Sequence, residues 1–122
     1  MEVKTAGKLS KSKSKHKAEV SKQTGFPSAA THYAELSIDL NKELVIHQDA
    51  TFFIRVEGNE MEYFRIYNND VLLVDRSLIP KNGDLALVVI ESDFSVIKIT
   101  KEEPGSSYTL WGVITHIIHK VI

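Results

Sequence analysis

The chain has 122 residues, 43% of them hydrophobic and 25% charged, with a formal net charge of −1. That length and composition fit one soluble domain with a modest core. Cys is absent, which excludes disulfides, thiolate metal sites and a Cys nucleophile, and no apolar run reaches the ~20 residues of a membrane helix.

Residues 1–25 (MEVKTAGKLSKSKSKHKAEVSKQTG) hold seven Lys against two Glu and few large apolar side chains. Such a stretch buries too little surface to offset its ordering entropy, so it reads as a basic, disordered tail. Lys11, Lys13, Lys15 and Lys17 are either a solvated run or a weak contact for DNA or another acidic partner. No h-region of a secretory signal is present, and a cytoplasmic location is expected. Residues 26–122 form the folded domain.

Gly25-Phe26-Pro27-Ser28 marks the change of composition. Ala34, Leu36, Ile38 and Leu40 alternate with polar residues, as a strand does, and Lys42 to His47 gives at most a helical turn. Thr51 to Val56 is a run of β-formers that Gly58-Asn59 interrupts. Asn68-Asn69-Asp70 is turn chemistry ahead of the apolar strand Val71 to Val74. Leu85 to Ile90 and Phe94 to Thr100 follow as strands around a turn at Glu91-Ser92-Asp93, and residues 101–107 (KEEPGSS) make a polar turn. Tyr108 to Ile122 is one long β-rich segment broken by Gly112. The fold expected is mainly β.

Few residues here carry chemistry by themselves. His47 has no ligand partner nearby in sequence and reads as a surface residue. His116 and His119 fall on opposite faces of an uninterrupted strand, so they do not form a metal pair. Asp70 and Asp75 stand at opposite ends of a strand, with turn and surface roles expected. Trp111 and Tyr108 read as core or interface residues. No phosphate loop is present, and neither a metal nor a cofactor is expected.

Ala50 to Asp75 (ATFFIRVEGNEMEYFRIYNNDVLLVD) resembles the core of the LexA/UmuD-type self-cleaving proteins, the S24 serine–lysine peptidase family. That family has Gly-x-Ser-Met where this chain has Gly58-Asn59-Glu60-Met61. It then has an Asp-Gly-Asp-led apolar strand, here Asn69 to Asp75. Its strand with Phe-x-Val-Lys matches Phe94-Ser95-Val96-Ile97. The resemblance covers roughly residues 24–122, less a family hairpin missing before Tyr108. It implies a small, curved antiparallel sheet or partly open barrel. It also places Thr24-Gly25, ahead of Phe26-Pro27-Ser28, at the family's self-cleavage site.

Both positions that define the family's chemistry are replaced. Glu60 stands at the nucleophile position and Ile97 at the general-base position. Ser–Lys acyl transfer needs a hydroxyl and a neutral amine in hydrogen-bond reach. A carboxylate is a poor nucleophile toward an amide, and Ile97 takes no proton. Lys98 is one residue late and faces the other way in a regular strand. No helix-turn-helix is present, which sets the chain beside UmuD-like proteins rather than LexA-like repressors. The resemblance therefore implies a non-cleaving accessory subunit of SOS-response translesion synthesis. Its partners would be a UmuC-like Y-family DNA polymerase and the RecA filament. The alternatives are an active self-cleaving peptidase, or a mobile-element regulator that heterodimerises with a host UmuD or LexA.

The terminal run from Gly112 to Ile122 is apolar on both alternate faces. In this reading one face packs on the domain and the other is covered by a second copy. A homodimer through Val113, Ile114, Ile118 and Ile122 is expected.

Overall fold

The computed structural model describes residues 1–10, 37–101 and 107–122. The chain divides into two compact units, Met1–Leu9 with His47–Ile122, and Ser10–Ile46. In the second, the helix α1 (Leu40–Leu44) is capped by Asp39, whose Oδ1 accepts from the backbone N–H of Asn41 at 3.0 Å and of Lys42 at 3.4 Å. The alternation through Leu40 predicts a strand there. The Asp39 cap prevails, because its carboxylate satisfies two N–H groups that a helix start leaves open.

The first unit is a six-stranded sheet, antiparallel throughout and not closed into a barrel. Its strands are β1 (Glu2–Lys8), β2 (Thr51–Glu57), β3 (Val71–Asp75), β4 (Leu85–Ile90), β5 (Asp93–Lys98) and β6 (Thr109–Ile118), in the spatial order β1-β2-β3-β6-β4-β5. The sequence shows five of these strands. The turn between β4 and β5 is Glu91-Ser92, both at positive φ (50° and 70°), the geometry that matches strand twist in a two-residue hairpin.

Strand β1 corrects the reading of residues 1–25 as a disordered tail. Its sequence EVKTAGK is polar and mostly exposed, yet it pairs with β2 from Glu2↔Glu57 to Lys8↔Phe52. Backbone hydrogen bonds to a strand edge do not register in composition. Met1 and Val3 add apolar anchors in the core. At Gly7 a Cβ would stand 3.1 Å from the Phe53 ring, so glycine lets that ring lie close. Residues 11–25, including the Lys run, lie outside the described residues.

Strand β6 joins two wings. Its second half pairs with β3, from Val71↔Ile118 to Asp75↔Val113, and its first half pairs with β4, from Ala86↔Val113 to Val89↔Thr109. Two bulges interrupt it. Thr115 is the extra residue against β3 and Trp111 the extra residue against β4. Each bulge shifts the side-chain alternation by one. The residues of β6 packed on the core are therefore Trp111, Ile114 and Ile117, three apart instead of two. This corrects the face assignment of the terminal run. Val113 and Ile114, expected at a dimer interface, are buried within the chain itself, while Ile118 and Ile122 are exposed.

The core gathers Ile54 and Val56 of β2, Leu72 and Val74 of β3, Leu87, Val96 and Ile114, with Ile66 from the β2–β3 connection. Trp111 lies edge-on to Phe52 and Phe94, with ring centroids 5.5 and 5.6 Å away. Among the described residues, no helix is long and apolar enough to cross a membrane.

Candidate functional site

The segment from Gly58 to Met61 is held by Asn68. The Gly58 N–H donates to Asn68 Oδ1 at 2.8 Å, and the Asn68 N–H donates to Asn59 Oδ1 at 2.9 Å. Gly58 has φ +87°, a conformation that costs glycine little. Met61 packs on the core and leads into a 3-10 turn over Glu62–Phe64. These bonds make Gly58 to Met61 an ordered turn after β2.

The Glu60 side chain is 60% exposed, and its Oε2 lies 3.6 Å from the α-ammonium of Met1, which donates to the Phe94 carbonyl at 2.9 Å. Ile97 is half-buried on β5 opposite Ala86. Phe94 and Val96 pack on the core, so Ile97 projects to the other face, and Lys98 shares the side of Val96. Among the described residues neither a hydrogen bond nor an ion pair joins Glu60 to Lys98. Thr24 and Gly25 lie outside the described residues.

Two His–Asp pairs flank β3, and neither is legible in the sequence. His47 Nδ1 lies 2.6 Å from Asp75 Oδ2, and His119 Nδ1 lies 2.6 Å from Asp70 Oδ1. Asp70 and Asp75 are buried, which corrects their expected surface roles, whereas His47 is exposed, as expected, and pairs with Asp75 from the surface. The turn roles hold. Asp70 Oδ2 accepts from the Tyr67 N–H, and Asp75 Oδ1 accepts from the Ser77 N–H and hydroxyl. Burial pushes the Asp75 carboxyl up. The hydrogen bonds from Ser77 and His47 outweigh that and hold it below the usual carboxylate value. An ionised carboxylate only accepts, so His47 carries its proton on Nδ1, leaving Nε2 as the acceptor when the ring is neutral. The partners are 28 and 49 residues apart in sequence, a separation that local patterning cannot bridge.

A family described as Peptidase S24-like matches residues 18–111. The chain belongs to the Peptidase S24-like family. It is 36% identical over 114 residues to the protein ImpA of Salmonella typhimurium, covering 80% of this chain and 79% of ImpA. To the protein MucA of Escherichia coli it is 36% identical over 110 residues, 75% of each chain. The LexA repressor of Caldicellulosiruptor saccharolyticus is 35% identical over 78 residues, which is 64% of this chain and 38% of that repressor. Within the S24-like family the chain is UmuD-like. It has a mainly β fold consistent with that family, an open six-stranded antiparallel sheet.

Proposed function

We propose that this S24-like chain is an accessory subunit of SOS-response translesion DNA synthesis that acts by binding and does not cleave itself. It works in the cytoplasm as a homodimer, with a UmuC-like Y-family DNA polymerase as its partner and the RecA filament as a second contact. Its similarity to ImpA and MucA over most of each chain supports the accessory role. The observation that carries the non-cleaving part is the exposed Glu60 beside an ammonium, with Ile97 at the base position. A carboxylate cannot form the acyl intermediate of an amide cleavage productively, and no side-chain amine stands at the base position to activate it. Ile118, Val121 and Ile122 are exposed and apolar, which supports a second copy on that side.

The test is co-expression of the full chain with a Y-family polymerase in cells that lack their own accessory subunit, read as ultraviolet-induced mutation frequency and as co-purification of the polymerase. Restored mutagenesis with an uncut chain is the expected result. Capture of an intact UmuD or LexA without any polymerase would replace the proposal by interference with those proteins. Loss of residues 1–24 on incubation with activated RecA filament, or at alkaline pH, would show an active peptidase.

A further inference from the structure

Residues 1–10 are fastened at both ends to parts of the chain far from them in sequence. Strand β1 pairs with β2 from Glu2 to Lys8, with Lys4 as the extra residue between Val3↔Val56 and Thr5↔Arg55. At one end the Met1 nitrogen donates to the Phe94 carbonyl of β5 at 2.9 Å, and the Met1 side chain is 1% exposed. At the other end the Leu9 carbonyl accepts from Gln48 Nε2 at 2.9 Å, 39 residues away. Within the second unit, the Ser10 carbonyl accepts from Asn41 Nδ2, also at 2.9 Å.

The chain leaves this clamp after Ser10 and returns to it at Asn41. Each contact just named joins residues 1–10 to residues at or beyond Asn41, and none of them uses the peptide bonds in between. The covalent connection raises the effective concentration of β1 at its site and adds no contact of its own to this set. Met1 and Val3, packed on the core, fix the strand in one register. Without β1, the edge of β2 over the buried Ile54 and Val56 would present a row of unpaired N–H and C=O groups, which recruits other chains.

We propose that the edge of β2 is a binding site for residues 1–10 as a separate strand. A chain cut between Ser10 and Ser37, at Thr24-Gly25 or at another bond, keeps residues 1–10 in the sheet as a noncovalent subunit. The main-chain ladder supplies the affinity, and the two apolar anchors supply the specificity. Such a cut changes the connectivity of the protein and leaves the β2 edge covered, so processing does not strip β1 from the domain. The inference holds for a cut made by the chain itself or by another protease, and it does not depend on the accessory-subunit reading.

The test uses the full chain with a thrombin site, flanked by Gly-Ser spacers, inserted between Thr24 and Gly25. Complete cleavage is verified on a denaturing gel. In size-exclusion chromatography under native conditions the two pieces should elute together, and urea should part them. The strength of the association is read from the dilution at which they separate. Val3→Lys should weaken it by about tenfold or more, because a core side chain is lost. Gln48→Ala, which removes only the hydrogen bond to Leu9, should weaken it by less. In the uncut chain neither substitution should change the elution, since the connection holds β1 in place. Separation of the cut pieces without urea overturns the proposal. Co-elution that Val3→Lys leaves unchanged also overturns it, and assigns the contact to residues 11–24 instead of β1.

Discussion

His47 Nδ1 stands 2.6 Å from Oδ2 of Asp75, a carboxylate buried where β3 ends and hydrogen-bonded on its other oxygen by Ser77. The pair ties the loop before β2 to the end of β3. Asp75→Asn should cost about 1.5–3 kcal/mol at neutral pH, the range for hydrogen bonds to a charged group. The carboxyl of the folded chain titrates below its unfolded value, which is about 3.9. Its contribution is therefore complete above that value and disappears as pH falls through the folded one. Urea unfolding of both proteins at neutral pH and near pH 3 checks this, and a gap of equal size at both pH values would contradict it.

Strand β1 should contribute measurably to stability. Met1 and Val3 pack on the core, and the loss of two such side chains costs about 2–5 kcal/mol. A chain without residues 1–9 should melt several degrees lower, and Val3→Lys in the full chain should lie between it and the parent. Unchanged melting of both would mean that β1 is not held in solution.

Gly112 has no room for a side chain. A Cβ there would stand 2.6 Å from Val74 Cγ1 and 3.3 Å from the Asp75 carbonyl. Gly112→Ala should cost about 1–3 kcal/mol, as overpacking does. Val74→Ala in the same chain should recover part of that, because the two sites share one space. Strict additivity in a double-mutant cycle would place the strain elsewhere.

Restoring the hydroxyl alone should not restore cleavage. Ile97 projects away from the face of Phe94 and Val96, while Lys98 shares it, so Glu60→Ser finds no base at the family position. Glu60→Ser with Ile97→Lys should give slow cleavage at Thr24-Gly25, seen as a band shift on incubation at alkaline pH. Cleavage by Glu60→Ser alone would mean that another base reaches the site.

Ile118 is the apolar residue of β6 best placed to meet a second copy, at 43% exposure. Ile118→Glu should convert a dimer into a folded monomer in sedimentation, since a carboxylate removed from water without a partner costs several kcal/mol. A parent chain that is already monomeric at micromolar concentration would refute the dimer, and a fully dimeric Ile118→Glu protein would move the interface to another face.

The sequence by itself determined five of the six strands, the turn at Gly58-Asn59, the turn at Glu91-Ser92-Asp93 to within one residue, and the family. These are local properties: alternation, turn chemistry and short motifs act over a few residues. The tertiary structure alone decided the rest. Strand β1 is polar, and its place follows from the edge that β2 offers to its backbone. The bulges at Thr115 and Trp111 re-phase β6, so Trp111, Ile114 and Ile117 pack on the core, while Val113 on the opposite face is buried as well, where strict alternation would have left one face for a partner. Asp70, Asp75 and Arg76 meet His119, His47 and Trp111 across 49, 28 and 35 residues of chain. Contacts over such separations depend on which strands lie side by side, and that order is set by burial of the whole core rather than by any one segment.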